Sequence, residues 1–236
     1  MILSPRLRSA LELVPPGASL ADICCDHGQL AIAAALEGAP RVIAIDVAQA
    51  PLHVARRNAA LAGVTLDLRL GDGLQPLRPG EIDGVVIAGV GGRTCLEILA
   101  GPHLRALDLR WLIVQVNRDL PRVRRWLAER GWRTARETLV QDGRRIFPTL
   151  LATPHHTARR LSHAEAYLGE LLRDARADLH IEHLSRREAK LADEVRGLRR
   201  GSDEAALTER EAWLSSVRSA LRKRRAGPLA DSADKT

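Results

Sequence analysis

The feature that most constrains the fold of this chain is an alternation, over its first 153 residues, of short apolar runs with longer amphipathic runs. The apolar runs predict five strands, at residues 19–24, 41–46, 66–70, 83–88 and 111–116. The amphipathic runs predict four helices, at residues 28–37, 48–62, 92–100 and 119–130. Strands that alternate with helices at this spacing predict an α/β fold, a Rossmann-like, doubly wound and mostly parallel sheet.

The pattern changes toward the second half of the chain. Residues 131–154 predict a closing antiparallel β-hairpin, with Asp142-Gly143 at its turn. Ser162 and Glu165 then match a capping box, which predicts the start of a long helical stretch, and Gly201-Ser202 separates that stretch from a second helix. We therefore expect three parts, namely a sheet domain (1–154), a coiled-coil-like α-helical hairpin (155–225) and a disordered tail (226–236).

Composition bounds the environment and the partners. The formal net charge of +7 favours a polyanionic partner, because Lys and Arg attract phosphate groups. The three cysteines, two of them adjacent, cannot form a disulfide framework and indicate a reducing compartment. The N-terminal segment has proline and charges where a signal peptide needs apolar residues, and no apolar stretch approaches the ~20 residues of a membrane span. We expect a cytoplasmic protein that acts without a membrane, as a monomer or a weak dimer.

The loops that follow the predicted strands hold the polar residues of the first half. In an open parallel sheet, ligands bind at the carboxyl ends of the strands, where the strand order reverses. We therefore expect all five loops along one edge of the sheet. Their sequences are DICCDHG (22–28), DVAQA (46–50), GDGL (71–74), AGVGG (88–92) and QVN (115–117).

The loop after the first strand favours a cationic ligand. A dinucleotide-binding turn needs the glycines of G-x-G-x-x-G, so that backbone N–H groups can approach a pyrophosphate, and this loop lacks them. Its two carboxylates, Asp22 and Asp26, would repel a pyrophosphate and attract a sulfonium or an ammonium group. S-adenosylmethionine has both cationic groups and no phosphate. We therefore expect S-adenosylmethionine as the cofactor, in preference to NAD or FAD.

Two further aspartates lie where an adenosine would be held. Asp46 ends the second strand, and a carboxylate there suits the two hydroxyl groups of a ribose; alternatively, Asp46 caps the next helix. Asp72, which lies between two glycines, suits the adenine amino group; alternatively, it only stabilises a turn. The sequence leaves both pairs of alternatives open.

Several other chemistries are disfavoured. The AGVGG loop has no Asn/Asp-Pro-Pro-aromatic box, which is typical of enzymes that methylate an exocyclic base amine. Cys95 follows no proline and lies inside a predicted helix, which argues against a covalent cysteine mechanism. We expect Cys24 and Cys25 to pack on different sides of a strand end, and His155-His156 to be solvated in a linker. No metal site is predicted.

Several motifs, taken in order, resemble those of one family. They lie within about residues 3–152 and are LSPRL, VPPGASLADICCDHGQLAIAA, DGL, IAGVGG, QVN and QDGRR. The chain resembles the bacterial tRNA (adenine(22)-N1)-methyltransferases, which have a Rossmann-like S-adenosylmethionine domain followed by a helical, coiled-coil-like domain. It departs from that family at Cys24, where Gly is usual, at Gln29, where an aromatic residue is frequent, and at Val116, where Pro is usual. The aromatic residue expected after the Asp-Gly turn has no clean match, and Phe147 is the nearest.

The resemblance implies a role for each matching position. Asp26 and His27, at the methionine end of the cofactor, are the candidate catalytic residues. The implied cofactor-binding residues are Asp22, Cys24, Gly28, Asp46, Asp72, Gly73, Ala88 and Gly89, of which Gly89 also flanks the target base. The implied substrate-binding residues are Gly91, Gly92, Asn117, Arg144 and Arg145.

The chemistry implied for an adenine N1 acceptor needs little acid–base catalysis. The ring nitrogen has an in-plane lone pair, so catalysis would consist mostly of positioning. Asp26 would accept from the 6-amino group and stabilise positive charge on the ring; alternatively, it only caps the following helix. His27 would orient Asp26 or the substrate; alternatively, it is a structural histidine. The target base must be turned out of the folded RNA to reach the site. The helical hairpin and four further arginines would bind the RNA backbone; these are Arg118, Arg122, Arg124 and Arg125.

Two other functions stay compatible with the sequence. One is a methyltransferase that acts on another RNA position, on DNA or on a small molecule, and the transfer of a labelled methyl group to tRNA separates it from the first hypothesis. The other is a non-catalytic RNA-binding protein that keeps the fold, and saturable cofactor binding argues against it. A nicotinamide-dependent oxidoreductase is disfavoured because the glycine fingerprint is missing.

Overall fold

The structure is a computed structural model that describes residues 3–101, 103–169 and 177–225. The chain divides into two compact units, residues 1–160 and residues 161–236. The first unit contains the sheet, and the second contains the C-terminal helices. Residues 170–176 of the predicted long helix and the predicted tail at 226–236 lie outside the described residues.

The strands of the first unit form a single seven-stranded sheet. They are β1 (Leu20–Ile23), β2 (Val42–Asp46), β3 (Asp67–Leu70), β4 (Gly84–Val90), β5 (Trp111–Val116), β6 (Trp132–Asp142) and β7 (Arg145–Pro154). Their order is β3-β2-β1-β4-β5-β7-β6. The five strands from β1 to β5 pair in parallel, whereas β7 is antiparallel to both β5 and β6. The prediction of a doubly wound, mostly parallel sheet is confirmed.

All four helices that the sequence predicts in the first unit are present, with ends within two residues of the predicted ones. The helices described there are α1 (Pro5–Leu11), α2 (Gln29–Leu36), α3 (Gln49–Leu61), α4 (Gly92–Ala100), α5 (His103–Ala106) and α6 (Leu120–Glu129). The sequence does not predict α1 or α5. At seven and four residues, they are too short for an apolar period to repeat.

Each face of the sheet has its own hydrophobic core. On one face, Ile23 packs in a cluster with Ile45, whereas on the other face Leu20 packs with Ala44. The strands β1, β2, β4 and β5 are therefore buried on both sides, which explains their nearly continuous apolar sequences. The edge strand β3 is only partly buried; its Asp67 and Arg69 side chains pair with each other, and its last residue, Leu70, is exposed.

The turn of the predicted hairpin lies one residue later than predicted. Asp142 pairs with Arg145 across the ladder, so the two turn residues are Gly143 and Arg144 rather than Asp142 and Gly143. Gly143 has a φ of 58°, a left-handed conformation that favours glycine at the first position of a two-residue turn. The register of the strands therefore depends on where the glycine lies, which the Asp-Gly signal predicts only to within one residue.

The second unit is helical. Its helices are α7 (His163–Leu168), α8 (Ala177–Leu198) and α9 (Glu204–Arg225). The predicted capping box opens α7, because Ser162 Oγ accepts from the Glu165 N–H at 3.1 Å and the Glu165 carboxylate accepts from the Ser162 N–H at 2.8 Å. The predicted break at Gly201-Ser202 lies between α8 and α9. Among the described residues, no helix has the length and apolarity that crossing a bilayer requires.

Candidate functional site

Five parallel strands end along one edge of the sheet, as their topology requires. The strand order reverses at β1, because β2 pairs on one side of it and β4 on the other. A cavity of about 200 Å³ opens at that point, and we call it the switch-point cavity. It is lined by Arg6, Leu7, Asp22, Cys24, Cys25, Asp26, His27, Gln29, Leu30, Ala88, Gly89 and Val90. Six of the predicted site residues thus line this cavity, namely Asp22, Cys24, Asp26, His27, Ala88 and Gly89.

Asp22 is the buried carboxylate of the switch-point cavity. It lies within β1 and is only 4% exposed. Burial, together with the nearby charge of Asp46, raises the pKa of Asp22 to about 7, although a hydrogen bond from the backbone N–H of Ala31 opposes the rise. Since Ala31 lies in the first turn of α2, Asp22 also satisfies a helix-terminal donor. A carboxylate that is costly to ionise here gains most from a cationic ligand.

The raised pKa of Asp22 predicts a pH-dependent stability. The folded chain retains a proton on Asp22 that the unfolded chain has already released, so its free energy of unfolding falls as the pH rises from about 4 to about 7. Asp22→Asn cannot ionise, so its stability relative to the wild type should increase over that interval and level off above pH 7. Urea denaturation of both proteins at several pH values tests this. A difference that does not change with pH would contradict it.

Cys24 and Cys25 turn the chain from β1 toward α2. Cys24 has a φ of 59°, in the left-handed region, and it packs against the core on one face of the sheet. Cys25 packs into the core on the other face, which confirms the prediction that the two side chains lie on different sides. Burial raises the pKa of Cys24 to about 11 and raises the pKa of Cys25 further. Both side chains are therefore protonated thiols at neutral pH.

The backbone conformation of Cys24 gives a physical reason for the glycine that is usual at this position. A left-handed residue with a Cβ atom costs about 1–2 kcal/mol, which glycine avoids. We expect Cys24→Gly to be about 1 kcal/mol more stable than Cys24→Ala, the reverse of the order found in helices and strands. Chemical denaturation of the two variants measures the difference. An alanine variant at least as stable as the glycine variant would rule out strain at this residue.

Asp26 and His27 lie at the exposed side of the switch-point cavity. The Asp26 side chain is 72% exposed, and its Oδ1 atom is 3.4 Å from His27 Nε2. Its backbone, with a φ of 50°, is fixed because the N–H of Asp26 donates to Asp46 Oδ2 at 3.0 Å. The N-cap residue of α2 is Gly28, so Asp26 is not the N-cap of that helix. The carboxylate of Asp26 therefore faces solvent and is available to a ligand.

Asp46 joins the loops after β1 and β2. Its second oxygen, Oδ1, accepts from the N–H of Ala48 at 3.0 Å, and its carbonyl accepts from the N–H of Gly71 at 3.0 Å. The N-cap residue of α3 is Ala48, without a side-chain cap, so the helix-capping alternative for Asp46 is wrong. Each carboxylate oxygen retains acceptor capacity beyond its one backbone donor. Asp72 follows Gly71, shortly after the end of β3, and is exposed.

Gly28 and Gly73 are needed for close packing. Both have left-handed φ angles, 73° and 55°. A Cβ atom on Gly28 would lie 2.9 Å from the Cβ atom of Ala55, and one on Gly73 would lie 3.1 Å from Ile98 Cγ2. Gly28 thus lets α2 approach α3, and Gly73 lets its loop approach α4. These contacts explain the glycines without a ligand, so their predicted contacts with a cofactor stay predictions.

Gly89 forms a bulge at the end of β4, and two side chains at the end of β5 and just after it hold Gly89 in place. Its φ is 82°, and the ladder register shifts between Ala88 and Val90. The N–H of Gly89 donates to Gln115 Oε1 at 3.1 Å, and its carbonyl accepts from Asn117 Nδ2 at 2.6 Å. Both polar groups of the Gly89 peptide are thereby fixed at the wall of the switch-point cavity. Asn117, a predicted substrate-binding residue, thus positions Gly89 through its amide group, and its contact with the substrate stays a prediction.

Gly91 and Gly92 begin α4 beside the loop after β5. A Cβ atom on Gly92 would lie 2.8 Å from the carbonyl oxygen of Arg118 and 2.8 Å from the Cβ atom of Asp119. Gly92 is therefore packed closely against the chain at Arg118 and Asp119, and its predicted contact with the substrate stays a prediction. Gly91 has more space, since a Cβ atom there would be 3.5 Å from Arg118 Nε. Neither glycine lines the switch-point cavity.

Basic side chains of α1 and β7 surround one aromatic ring near the end of β5. The guanidinium carbon of Arg145 is 4.8 Å from the centroid of the Phe147 ring, and that of Arg6 is 5.9 Å from it. Arg145 Nη2 also donates to the carbonyl of Asn117 at 3.2 Å. Arg144 lies in the hairpin turn and is exposed. Phe147, the nearest match to the expected aromatic residue, is buried and supports the two arginines.

The cavity wall also contains residues that the sequence analysis does not select. Arg6 and Leu7 come from α1, and Gln29 comes from the start of α2. Gln115, the fully buried residue that holds Gly89, is likewise not selected, although it lies in the QVN motif. The LSPRL motif is the one sequence signal that includes Arg6. Nothing in that motif indicates that the Arg6 side chain lies near the carboxyl end of β4. Among the described residues, no group of His, Cys, Asp and Glu could hold a metal ion.

Comparisons with known proteins agree with this architecture. The tRNA (adenine(22)-N(1))-methyltransferase of Bacillus subtilis (strain 168) is 31% identical over 153 residues, which span 64% of this chain and 64% of that protein. A solved protein of the NADB-Rossmann superfamily from Streptococcus agalactiae is 25% identical, with a TM-score of 0.82 over 94% of this chain and 98% of that one. Sp1610 of Streptococcus pneumoniae, solved with S-adenosyl-L-methionine, is 22% identical, with a TM-score of 0.79 over 93% and 100% of the two chains.

A family profile extends over most of the sheet unit. The profile of the family described as "Methyltransferase domain" matches residues 3–150, which include every strand from β1 to β6 and the whole switch-point cavity. The resemblance indicated by the motifs is confirmed by these matches. The chain therefore belongs to the methyltransferase domain family.

Proposed function

We propose that the chain is an S-adenosylmethionine-dependent tRNA methyltransferase that modifies N1 of an adenine in the D-arm, at position 22. The observation that supports this most is the switch-point cavity, where two carboxylates stand in place of a glycine-rich phosphate loop. The assignment of the substrate rests on the similarity to the Bacillus subtilis enzyme, which covers 64% of each chain. The proposed place of action is the cytoplasm, which suits three free cysteines.

The residues of the switch-point cavity fit the proposed cofactor by their chemistry. S-adenosylmethionine has a sulfonium, an ammonium and a carboxylate group near the methionine end, and supplies the methyl group when bound. Asp22 and Asp26 would face the two cations, and ionised Asp22 would gain a counter-charge that its buried position otherwise denies. Asp46, whose carboxylate oxygens keep free lone pairs at the end of β2, would accept from the ribose hydroxyl groups.

The same residues would orient an adenine at the mouth of the cavity. Asp26 would accept a hydrogen bond from the 6-amino group, which selects adenine over guanine, and its charge would stabilise a cationic ring. His27, 3.4 Å from Asp26, would fix the direction of that carboxylate. Gly89, held by Gln115 and Asn117, would leave room for the base at the opposite wall. No residue of this arrangement needs to remove a proton from the ring nitrogen.

The RNA itself would be bound by basic side chains. We propose that the hairpin arginines Arg144 and Arg145 contact the RNA next to the switch-point cavity, because both are exposed at the end of the sheet that bears the site. We further propose that residues 1–154 form the catalytic domain and that the helices over residues 155–225 bind the tRNA backbone, in a monomer or a weak dimer. Such contacts depend on phosphate charge, so affinity should fall steeply with salt.

Two measurements test the proposed function. Calorimetric titration of the purified protein with S-adenosylmethionine should give saturable binding, and methyl-labelled cofactor should transfer label to unmodified tRNA. Ribosomal RNA, DNA and bulk protein serve as competing acceptors. Label on another acceptor would assign a methyltransferase of different specificity. Tight tRNA binding without cofactor binding would favour a non-catalytic RNA-binding protein.

A further inference from the structure

Arg6 is the one arginine in the wall of the switch-point cavity, among the residues that the structure describes. It lies in α1, whereas Asp22 and Asp26 lie at the end of β1. The wall therefore has carboxylates from one element and a guanidinium from another. A cavity with this distribution suits a ligand that has both a positive and a negative group.

The guanidinium of Arg6 is positioned but not neutralised. Its Nη1 atom is 3.4 Å from Asn117 Oδ1, and its Nε atom is 4.0 Å from the carboxylate of Asp142. By contrast, the guanidinium of Arg69 forms close ion pairs with two carboxylates, those of Asp67 and Glu81, each at 2.7 Å. The Arg6 side chain is also 33% exposed, so its donors can reach a ligand. The long contacts leave most of its five N–H donors for an anion.

Two neighbours hold Arg6 in place. The ring of Phe147 lies 5.9 Å from its guanidinium carbon, and the amide of Asn117 links it to Gly89. The second guanidinium at the same ring, that of Arg145, makes the local potential more positive. A guanidinium with unused donors, on the wall of a small cavity, suits a carboxylate or a phosphate oxygen.

We propose that Arg6 binds the carboxylate of the amino-acid end of S-adenosylmethionine. The proposal rests on the proposed function and adds a recognition residue from an element outside the cofactor loops. The amino-acid end is a zwitterion, and its carboxylate could not lie beside Asp22 and Asp26 without a cation to offset the repulsion. Arg6 is the cavity residue that supplies that cation, whereas His27 is already beside Asp26.

The contact is tested by removing the carboxylate from the ligand and, separately, the guanidinium from Arg6. The ligands are S-adenosylmethionine, its decarboxylated analogue, which keeps the ammonium and the sulfonium, and 5′-methylthioadenosine, which lacks the amino-acid end. The proteins are the wild type, Arg6→Gln, Arg6→Lys and the control Arg8→Gln. Arg8 lies on the same helix and is exposed, and it pairs with Glu37 instead of lining the cavity. Dissociation constants are measured by calorimetry.

The wild type and Arg8→Gln should bind S-adenosylmethionine about tenfold to a hundredfold more tightly than the decarboxylated analogue. In Arg6→Gln this ratio should fall below about threefold, with an intermediate value in Arg6→Lys. The dissociation constant for 5′-methylthioadenosine should not change, which shows that the site is intact.

Three results would overturn the proposal. An unchanged ratio in Arg6→Gln would remove Arg6 from cofactor binding and leave the proposed function standing. An unchanged ratio with a higher KM for tRNA would assign the guanidinium to a phosphate of the RNA instead. A wild type that binds none of the three ligands would contradict the proposed function itself, and the role of Arg6 with it.

Discussion

Replacement of Asp26 by asparagine is expected to lower kcat/KM for tRNA methylation about 100-fold while the affinity for S-adenosylmethionine changes little. Asparagine keeps the shape and a hydrogen-bond acceptor, but it removes the negative charge that would stabilise a cationic adenine. The loop should not move, because Asp46 holds it through the backbone N–H of residue 26. Steady-state kinetics with saturating cofactor, together with calorimetry, measure the two effects separately.

Asp108 offers a matched control for this substitution. It is exposed and has a φ of 51°, close to the 50° of Asp26, so asparagine meets the same backbone conformation at both sites. Asp108 precedes β5 and therefore lies at the opposite edge of the sheet from the strand ends that bear the site. Asp108→Asn should leave the kinetics unchanged. Equal activity of the Asp26 and Asp108 variants would mean that Asp26 has only an architectural role.

The loss of Glu137 is expected to reduce the stability of the sheet unit more than any other substitution considered above. Glu137 of β6 pairs with Arg124 of α6, and both side chains are almost completely buried, at 0% and 3% exposed. Glu137→Leu would leave a buried guanidinium without its carboxylate, at a cost of about 3–5 kcal/mol. Urea denaturation followed by tryptophan fluorescence measures this, since the sheet unit contains Trp111, Trp126 and Trp132 of the four tryptophans.

A double variant distinguishes the ion pair from the packing around it. Arg124→Met combined with Glu137→Leu removes both charges and keeps an apolar volume, so most of the lost stability should return. The single variant keeps the buried charge of Arg124 without the carboxylate of Glu137, whereas the double variant removes both charges of this pair. A double variant as unstable as Glu137→Leu would show that side-chain shape, not charge, limits this part of the core.

The carboxylates of the site are predictable from the sequence because topology alone brings them together. Asp22, Asp26 and Asp46 lie within or just after strands whose apolar runs and spacing indicate a parallel sheet. Parallel strands end at one edge, so residues distant in sequence become neighbours there. The alternative role of Asp46 as a helix cap could not be decided in this way, because it depends on where α3 begins, and α3 begins at Gln49.

Arg6 is not predictable by the same reasoning. Its helix has seven residues, and its contact with Asn117 spans 111 positions of the chain. Such a contact follows from how α1 packs near the ends of β5 and β7, which no local pattern encodes. Gly28 and Gly92 illustrate a different difficulty. Their positions in the sequence suggest ligand contacts, whereas the structure explains both glycines by the close packing of helices and loops. A glycine alone does not indicate which neighbour needs the space.

The most direct test of the central proposal is the identity and position of the modified nucleoside. Unmodified tRNA is incubated with the wild-type protein and methyl-labelled S-adenosylmethionine, and the RNA is then digested and analysed by mass spectrometry. The proposal predicts N1-methyladenosine at the single position 22 of the D-arm, strongly reduced with Asp26→Asn and unchanged with Asp108→Asn. Label on a different nucleoside, or on no RNA at all, would contradict it.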